Sequence, residues 1–124
     1  MVLPEETDYE YSYITKPWVK MDMWYGVFVL TKDYVTPEIT VPAGQTTDGA
    51  SRPEWTAIFI EKYDKHLPAC IVHDYMYRKA IKTKKEADDL FKVNLKRCVE
   101  QFGLDPDLVK PMVAAVRMFG KGKY

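Results

Sequence analysis

The chain changes grammar near Ser51. Upstream, residues 9–14, 18–30 and 39–41 are rich in Tyr, Trp, Val and Ile, side chains that suit half-buried pleated surfaces. Downstream, apolar residues recur at helical spacing between recognisable helix starts and stops. This division predicts an α+β fold, with an N-terminal antiparallel β-sheet followed by three or four packed helices. The 124 residues suit a single domain, because two halves of about 60 residues would each have a marginal core. Strands and turns are expected over about residues 1–44, a polar loop over 45–52 and helices over 53–120.

In the first half, Lys32-Asp33 and Thr36-Pro37 read as breaks, and Pro42-Ala43-Gly44 ends the last strand. Within residues 18–30, Trp24, Phe28 and Leu30 fall opposite Tyr25, Val27 and Val29, so both faces are apolar. One face must meet helices, the other an aromatic cluster or a partner. In the second half, Ser51-Arg52-Pro53-Glu54 offers a Ser cap, an early Pro and a reciprocal Glu, which starts a short helix through Ile60. Pro68 opens a second helix to about Ala80, with Ile71, Met76 and Ala80 on its buried side. Thr83-Lys84-Lys85-Glu86 is another capping box, and Ala87, Leu90, Phe91, Leu95, Cys98 and Phe102 follow at helical spacing until Gly103. Asp105-Pro106 starts a last helix with Val109, Met112, Val113, Val116 and Phe119 on its apolar face. Pro111 inside that pattern calls for a kink or a later start.

Eighteen Lys and Arg balance eighteen Asp and Glu, so bulk positive charge cannot drive binding to nucleic acid or an anionic membrane. A local patch remains possible, because the front of the chain is acidic and the middle basic. No apolar run approaches the 18 residues of a transmembrane helix, and the first residues, MVLPEETDYEY, do not resemble a signal peptide. Cys70 and Cys98 are too few for a disulfide scaffold and lack zinc-knuckle spacing. Two buried thiols or one helix-to-helix bridge are both open. There is no Walker loop, no Gly-x-Ser-x-Gly elbow and no His-Glu-x-x-His.

The polar signal that packing does not need is Ala69-Cys70-Ile71-Val72-His73-Asp74-Tyr75-Met76-Tyr77-Arg78. On a helix, His73 and Tyr77 share one face and Asp74 and Arg78 form a second pair about 100° round. The short turn after this helix makes the next one an antiparallel neighbour, so Asp88, in its first turns beside Asp89, can reach His73. A histidine held by an acid on a rigid neighbouring helix is the base-and-orienter half of a hydrolytic site. Thr47, Gly49 and Ser51 in the loop before the first helix can present oxygens and N–H groups to a developing oxyanion. Asp74 and Asp48 would suit a hard cation, Ca2+ or Mg2+, better than zinc.

Each feature also has a plainer reading. His73 serves equally as a hydrogen-bonded structural histidine, Asp74 and Arg78 as a helix ion pair, Asp88 and Asp89 as first-turn charge, and Thr47-Asp48-Gly49 as a turn and cap. His66, seven positions before His73, lies in a loop entering the helix and makes a weak second metal ligand. The Tyr9, Tyr11, Tyr13, Trp18, Trp24 and Tyr25 cluster reads as core and interface packing, and Lys79, Lys82, Lys84 and Lys85 as a solvated turn.

Val41-Pro42-Ala43-Gly44, Thr47-Asp48-Gly49-Ala50-Ser51-Arg52-Pro53, His73-Asp74-Tyr75-Met76-Tyr77-Arg78, Ala87-Asp88 with Phe91, and Val116-Arg117 with Phe119-Gly120 resemble an uncharacterised family of small proteins of tailed phages and prophages. That resemblance implies phage structural proteins as partners and a place in the host cytoplasm or the virion. Cys70, His73, Asp74 and Tyr77, followed by Asp88, Phe91 and Cys98, are similar over about 30 residues to the paired active helices of secreted phospholipase A2. The likeness implies His73 as the base that activates water, Asp88 as its orienting acid, Tyr77 as a buttress, Asp74 as a calcium ligand and Cys70–Cys98 as a bridge. A phospholipid or cell-envelope ester would be the substrate. The Thr47-Asp48-Gly49 loop differs in spacing and polarity from the glycine-rich calcium loop of those enzymes. Non-enzymatic virion or tail-associated service, or contact with a host protein, is the competing expectation.

Overall fold

The computed structural model describes residues 13–25, 27–47 and 65–120. Among them are five short strands, β1 (Val19–Asp22), β2 (Val27–Leu30), β3 (Tyr34–Val35), β4 (Thr40–Val41) and β5 (Thr46–Thr47). Three α-helices follow, α1 (Leu67–Lys79), α2 (Lys84–Phe102) and α3 (Val109–Phe119), the last preceded by a 3-10 turn at Pro106–Leu108. The order is that of an α+β fold, with antiparallel sheet in the N-terminal half and helices after it.

The sheet departs from the sequence expectation in two places. Residues 18–30 are not one strand but a hairpin, with Val19 opposite Leu30 and Asp22 opposite Val27. Asp22 turns the chain because its Oδ1 accepts the N–H groups of Trp24 at 3.0 Å and Tyr25 at 3.2 Å. Trp24 and Tyr25 therefore stand in the turn, in water, instead of alternating on a sheet face. The second departure is β5, which lies within the expected polar loop and pairs antiparallel with β2. Its approach is fixed by Leu30 N–H donating to the Gln45 carbonyl and Gly44 N–H to the Leu30 carbonyl. Gly44 makes that corner at φ 91°, a backbone open to glycine. β3 and β4 form a separate two-stranded ribbon across the Thr36-Pro37 break.

The helices follow their end signals. Thr83 caps α2 by accepting from Glu86 N–H at 3.1 Å, while its hydroxyl donates to the Glu86 carboxylate. Gly103, at φ 77°, closes the same helix in left-handed geometry. Asp105 caps the 3-10 turn, and α3 starts at Val109. Pro111 consequently falls in the first turn of α3, where an N–H has no partner within the helix, and neither breaks nor delays it. Ala80 is the left-handed cap of α1 and is exposed, so it does not belong to the buried side. The expected strand over 9–14 lies largely outside the described residues, and the helix from Ser51 to Ile60 entirely so.

Two apolar clusters meet at α1. Ala69 and Cys70 pack with Phe91, Leu95 and Cys98 of α2 and with Met112 and Val116 of α3. Ile71, Met76 and Tyr77 face Leu30, Tyr34 and Val41 from the strands and Leu90 of α2. One fully buried ion pair crosses between ribbon and helix. Arg97 donates through both terminal nitrogens to Glu38, at 2.7 and 2.6 Å, and also to Asn94 Oδ1 at 2.9 Å. A lone charge left in this setting is poorly solvated. Glu38→Gln should therefore lower unfolding free energy by about 3 kcal/mol in urea titrations, whereas Glu38→Leu with Arg97→Met should cost much less. Equal losses in the two variants would show that the pair itself, and not its desolvation, sets stability.

Candidate functional site

His73 and Tyr77 lie one turn apart on α1 and stack, with ring centroids 4.1 Å apart. Lys84, Asp88 and Phe91 occupy one face of α2 at i, i+4 and i+7, and that face meets them. His73 Nε2 is 2.8 Å from Asp88 Oδ1, and Phe91 covers the imidazole with ring centroids 4.7 Å apart. The Tyr77 hydroxyl donates to the same Oδ1 at 2.5 Å. Lys84 Nζ donates to the other oxygen, Oδ2, at 2.8 Å. His73 and Asp88 are each 2% exposed.

Electrostatics choose the protonation pattern. Burial pushes the Asp88 carboxyl up, but the hydrogen bonds from His73, Lys84 and Tyr77 together outweigh it and hold the group below the usual carboxylate range. An ionised carboxylate can only accept, so Nε2 of His73 carries the proton. In the neutral ring this leaves the lone pair on Nδ1, for which no hydrogen-bond partner exists among the described residues. The result is a base with its tautomer fixed.

The structure joins three predicted residues, His73, Asp88 and Tyr77, into one network and places two others beside it. Asp74 Oδ2 accepts from the Thr47 hydroxyl at 2.6 Å, tying β5 to α1. Arg78 reaches Gln45 Oε1 at 3.5 Å. Asp48, Gly49 and Ser51 lie outside the described residues. Asp48, the second expected ligand of the implied cation, is among those outside, so only Asp74 of that pair can be placed. A calcium site needs six to eight oxygens, yet among the described residues no three His, Cys, Asp or Glu side chains converge. Asp74 meets the Thr47 hydroxyl there. The bridge implied by the phospholipase likeness is not formed: Cys70 and Cys98 are both buried thiols outside any disulfide. Clefts of about 360 and 490 Å³ open elsewhere, between α2 and α3 and beside Lys16 and Lys65.

Lys84 is the member of this network that a solvated-turn reading hides, although its i, i+4 spacing to Asp88 is visible in the sequence. Its ammonium also donates to the carbonyls of Val116 and Arg117, at 3.2 and 3.3 Å, and so caps the end of α3. Arg117 returns to α2 through Asp89 at 2.9 Å. Gly120 completes the seam, for a Cβ there would collide with the Val116 carbonyl oxygen and stand 2.5 Å from the Tyr77 hydroxyl oxygen. Gly120→Ala should therefore cost about 1–3 kcal/mol as an overpacked contact. Combined with Tyr77→Phe, which removes one of the two obstructing oxygens and leaves the Val116 carbonyl in place, the loss should be smaller than the sum of the single losses in a double-mutant cycle. Strict additivity would mean that the two residues do not press on one another.

No curated protein and no solved structure matches the chain. A family model does, across residues 28–103, a span that holds all of β2 but its first residue, β3 to β5, α1 and α2 and therefore His73, Tyr77 and Asp88. On that match, which covers more than half its length, the chain belongs to the protein family of unknown function DUF1353.

Proposed function

We propose that the protein is a hydrolase in which His73 is the general base. The observation that carries this reading is the 2.8 Å contact of His73 with an Asp88 carboxylate that Tyr77 and Lys84 also hold. Water attacking an ester carbonyl gives up a proton, which Nδ1 of His73 receives while Asp88 stabilises the imidazolium. The imidazolium then returns the proton to the departing alkoxide, so ester and water become acid and alcohol. The likeness to the phospholipase helices makes a phospholipid the first substrate class and a cell-envelope ester the second.

Two observations favour a second reading. His73 and Asp74 are almost fully buried, and the Thr47–Asp74 bond fastens strand to helix. On this reading the same network is a polar lock within a phage virion, tail-associated or host-interaction protein.

The two readings differ in what His73→Gln removes. A hydrolase should lose about a hundredfold or more in rate on phospholipid or cell-wall ester, with little change in melting temperature. A structural lock should lose melting temperature from a protein that turns over none of these substrates. Parallel assays with calcium and with chelator would assign or remove a cation role for Asp74 and Asp48.

Acid stability offers a check that needs no substrate. The folded Asp88 carboxyl is held below its ordinary value of 3.8, so its ionised form stabilises the fold above that pH. The contribution is lost as pH falls through the lower folded value. Asp88→Asn should thus be less stable than the wild type near neutrality, with the gap closing in strong acid. A gap independent of pH in denaturant titrations would remove this assignment.

A further inference from the structure

The β1–β2 hairpin ends in three consecutive large apolar side chains that face water: Met23, Trp24 and Tyr25, exposed to 87%, 88% and 74%. Trp18 and Met21 of the same hairpin are exposed as well. Tight hairpin turns usually carry Gly, Asn or Asp at their tips. Here Asp22 supplies the turn chemistry from the strand end, and it satisfies the N–H groups of Trp24 and Tyr25. The tip thus offers side chains outward with those two backbone donors already paired. Scattered apolar residues are ordinary on a surface, whereas a contiguous run on a protruding turn marks an interaction site.

Charge selects the occupant. Among the described residues of the hairpin and its flanks, Asp22 accepts from the turn and Asp33 from Ala43 N–H at 2.8 Å, and both keep their negative charge. Three lysines outnumber these two acids. Lys16 and Lys20 are exposed, and Lys32 lies over the Trp18 ring at 4.7 Å from its centroid. Indole and phenol rings settle at the headgroup level of a bilayer, while lysine stems extend to the phosphates.

We propose that this hairpin docks the protein on an anionic lipid surface, with Met23, Trp24 and Tyr25 entering the interface and Lys16, Lys20 and Lys32 facing the phosphates. The contact is local and electrostatically supported, so a net charge of zero does not oppose it. It is separate from the His73 network and does not rest on the hydrolase reading.

The test uses the intact chain with sucrose-loaded vesicles of phosphatidylglycerol or phosphatidylcholine, read by co-sedimentation and tryptophan emission. The wild type should pellet with phosphatidylglycerol, with blue-shifted emission, and added salt should weaken the binding. The triple variant Met23→Ser, Trp24→Ser, Tyr25→Ser changes only exposed positions and should keep its melting temperature. Its partitioning should fall by about tenfold or more, as expected when three large apolar side chains no longer enter the interface. Lys20→Glu with Lys32→Glu should reduce binding to phosphatidylglycerol alone. Wild type left in the supernatant, or a triple variant that pellets equally well, overturns the proposal. So does a wild-type dimer in sedimentation velocity that the triple variant abolishes without any vesicle binding.

Discussion

A carboxylate removed from water must be surrounded by donors or give up its charge, and Asp88 is the place where this chain meets that demand. At 2% exposure it retains its charge because three donors on two helices converge on it. Each donor has a different consequence. His73 acquires a defined tautomer, Tyr77 fixes the angle of α1, and Lys84 carries the arrangement on to α3. Taking one donor away leaves the others misaligned as well as fewer, since the two carboxylate oxygens share them unequally.

The third helix belongs to this arrangement although it contributes no side chain to the carboxylate. Its last carbonyls accept from Lys84, its Arg117 grips Asp89, and Gly120 leaves the room that the Tyr77 hydroxyl occupies. The strands are held from the opposite side through Thr47 on Asp74 and, further away, Glu38 on Arg97. The polar contacts of the fold therefore form ties between elements far apart in sequence, while the two apolar clusters supply bulk cohesion. Such ties specify register more than they add stability, because burying the charges offsets much of their attraction.

The helical half was legible because its signals are local. A capping box at Thr83, glycines at 103 and 120, and apolar spacing between them all agree with one another, and the i, i+4 pairing of His73 with Tyr77 follows from helix geometry alone. Asp88 could be placed opposite His73 because the turn between the helices is short. The sheet was less legible. Residues 18–30 are apolar on both faces, which hides the turn that Asp22 makes, and β5 is only two residues long and defined by pairing with distant β2. The Glu38–Arg97 pair spans 59 positions and leaves no trace in spacing. Lys84 was concealed by its surroundings, as one lysine among several in a turn.

The two thiols make the helical layer self-reporting. Cys98 is pushed up to about 12 mainly by burial, so it holds its proton and is inert while α1, α2 and α3 remain packed. Cys70, in the same cluster, is equally shielded from an alkylating reagent. Modification of either sulfur accordingly times the opening of the helices, independently of whatever the β1–β2 hairpin is doing. The chain carries its own chronometer for one half of its architecture.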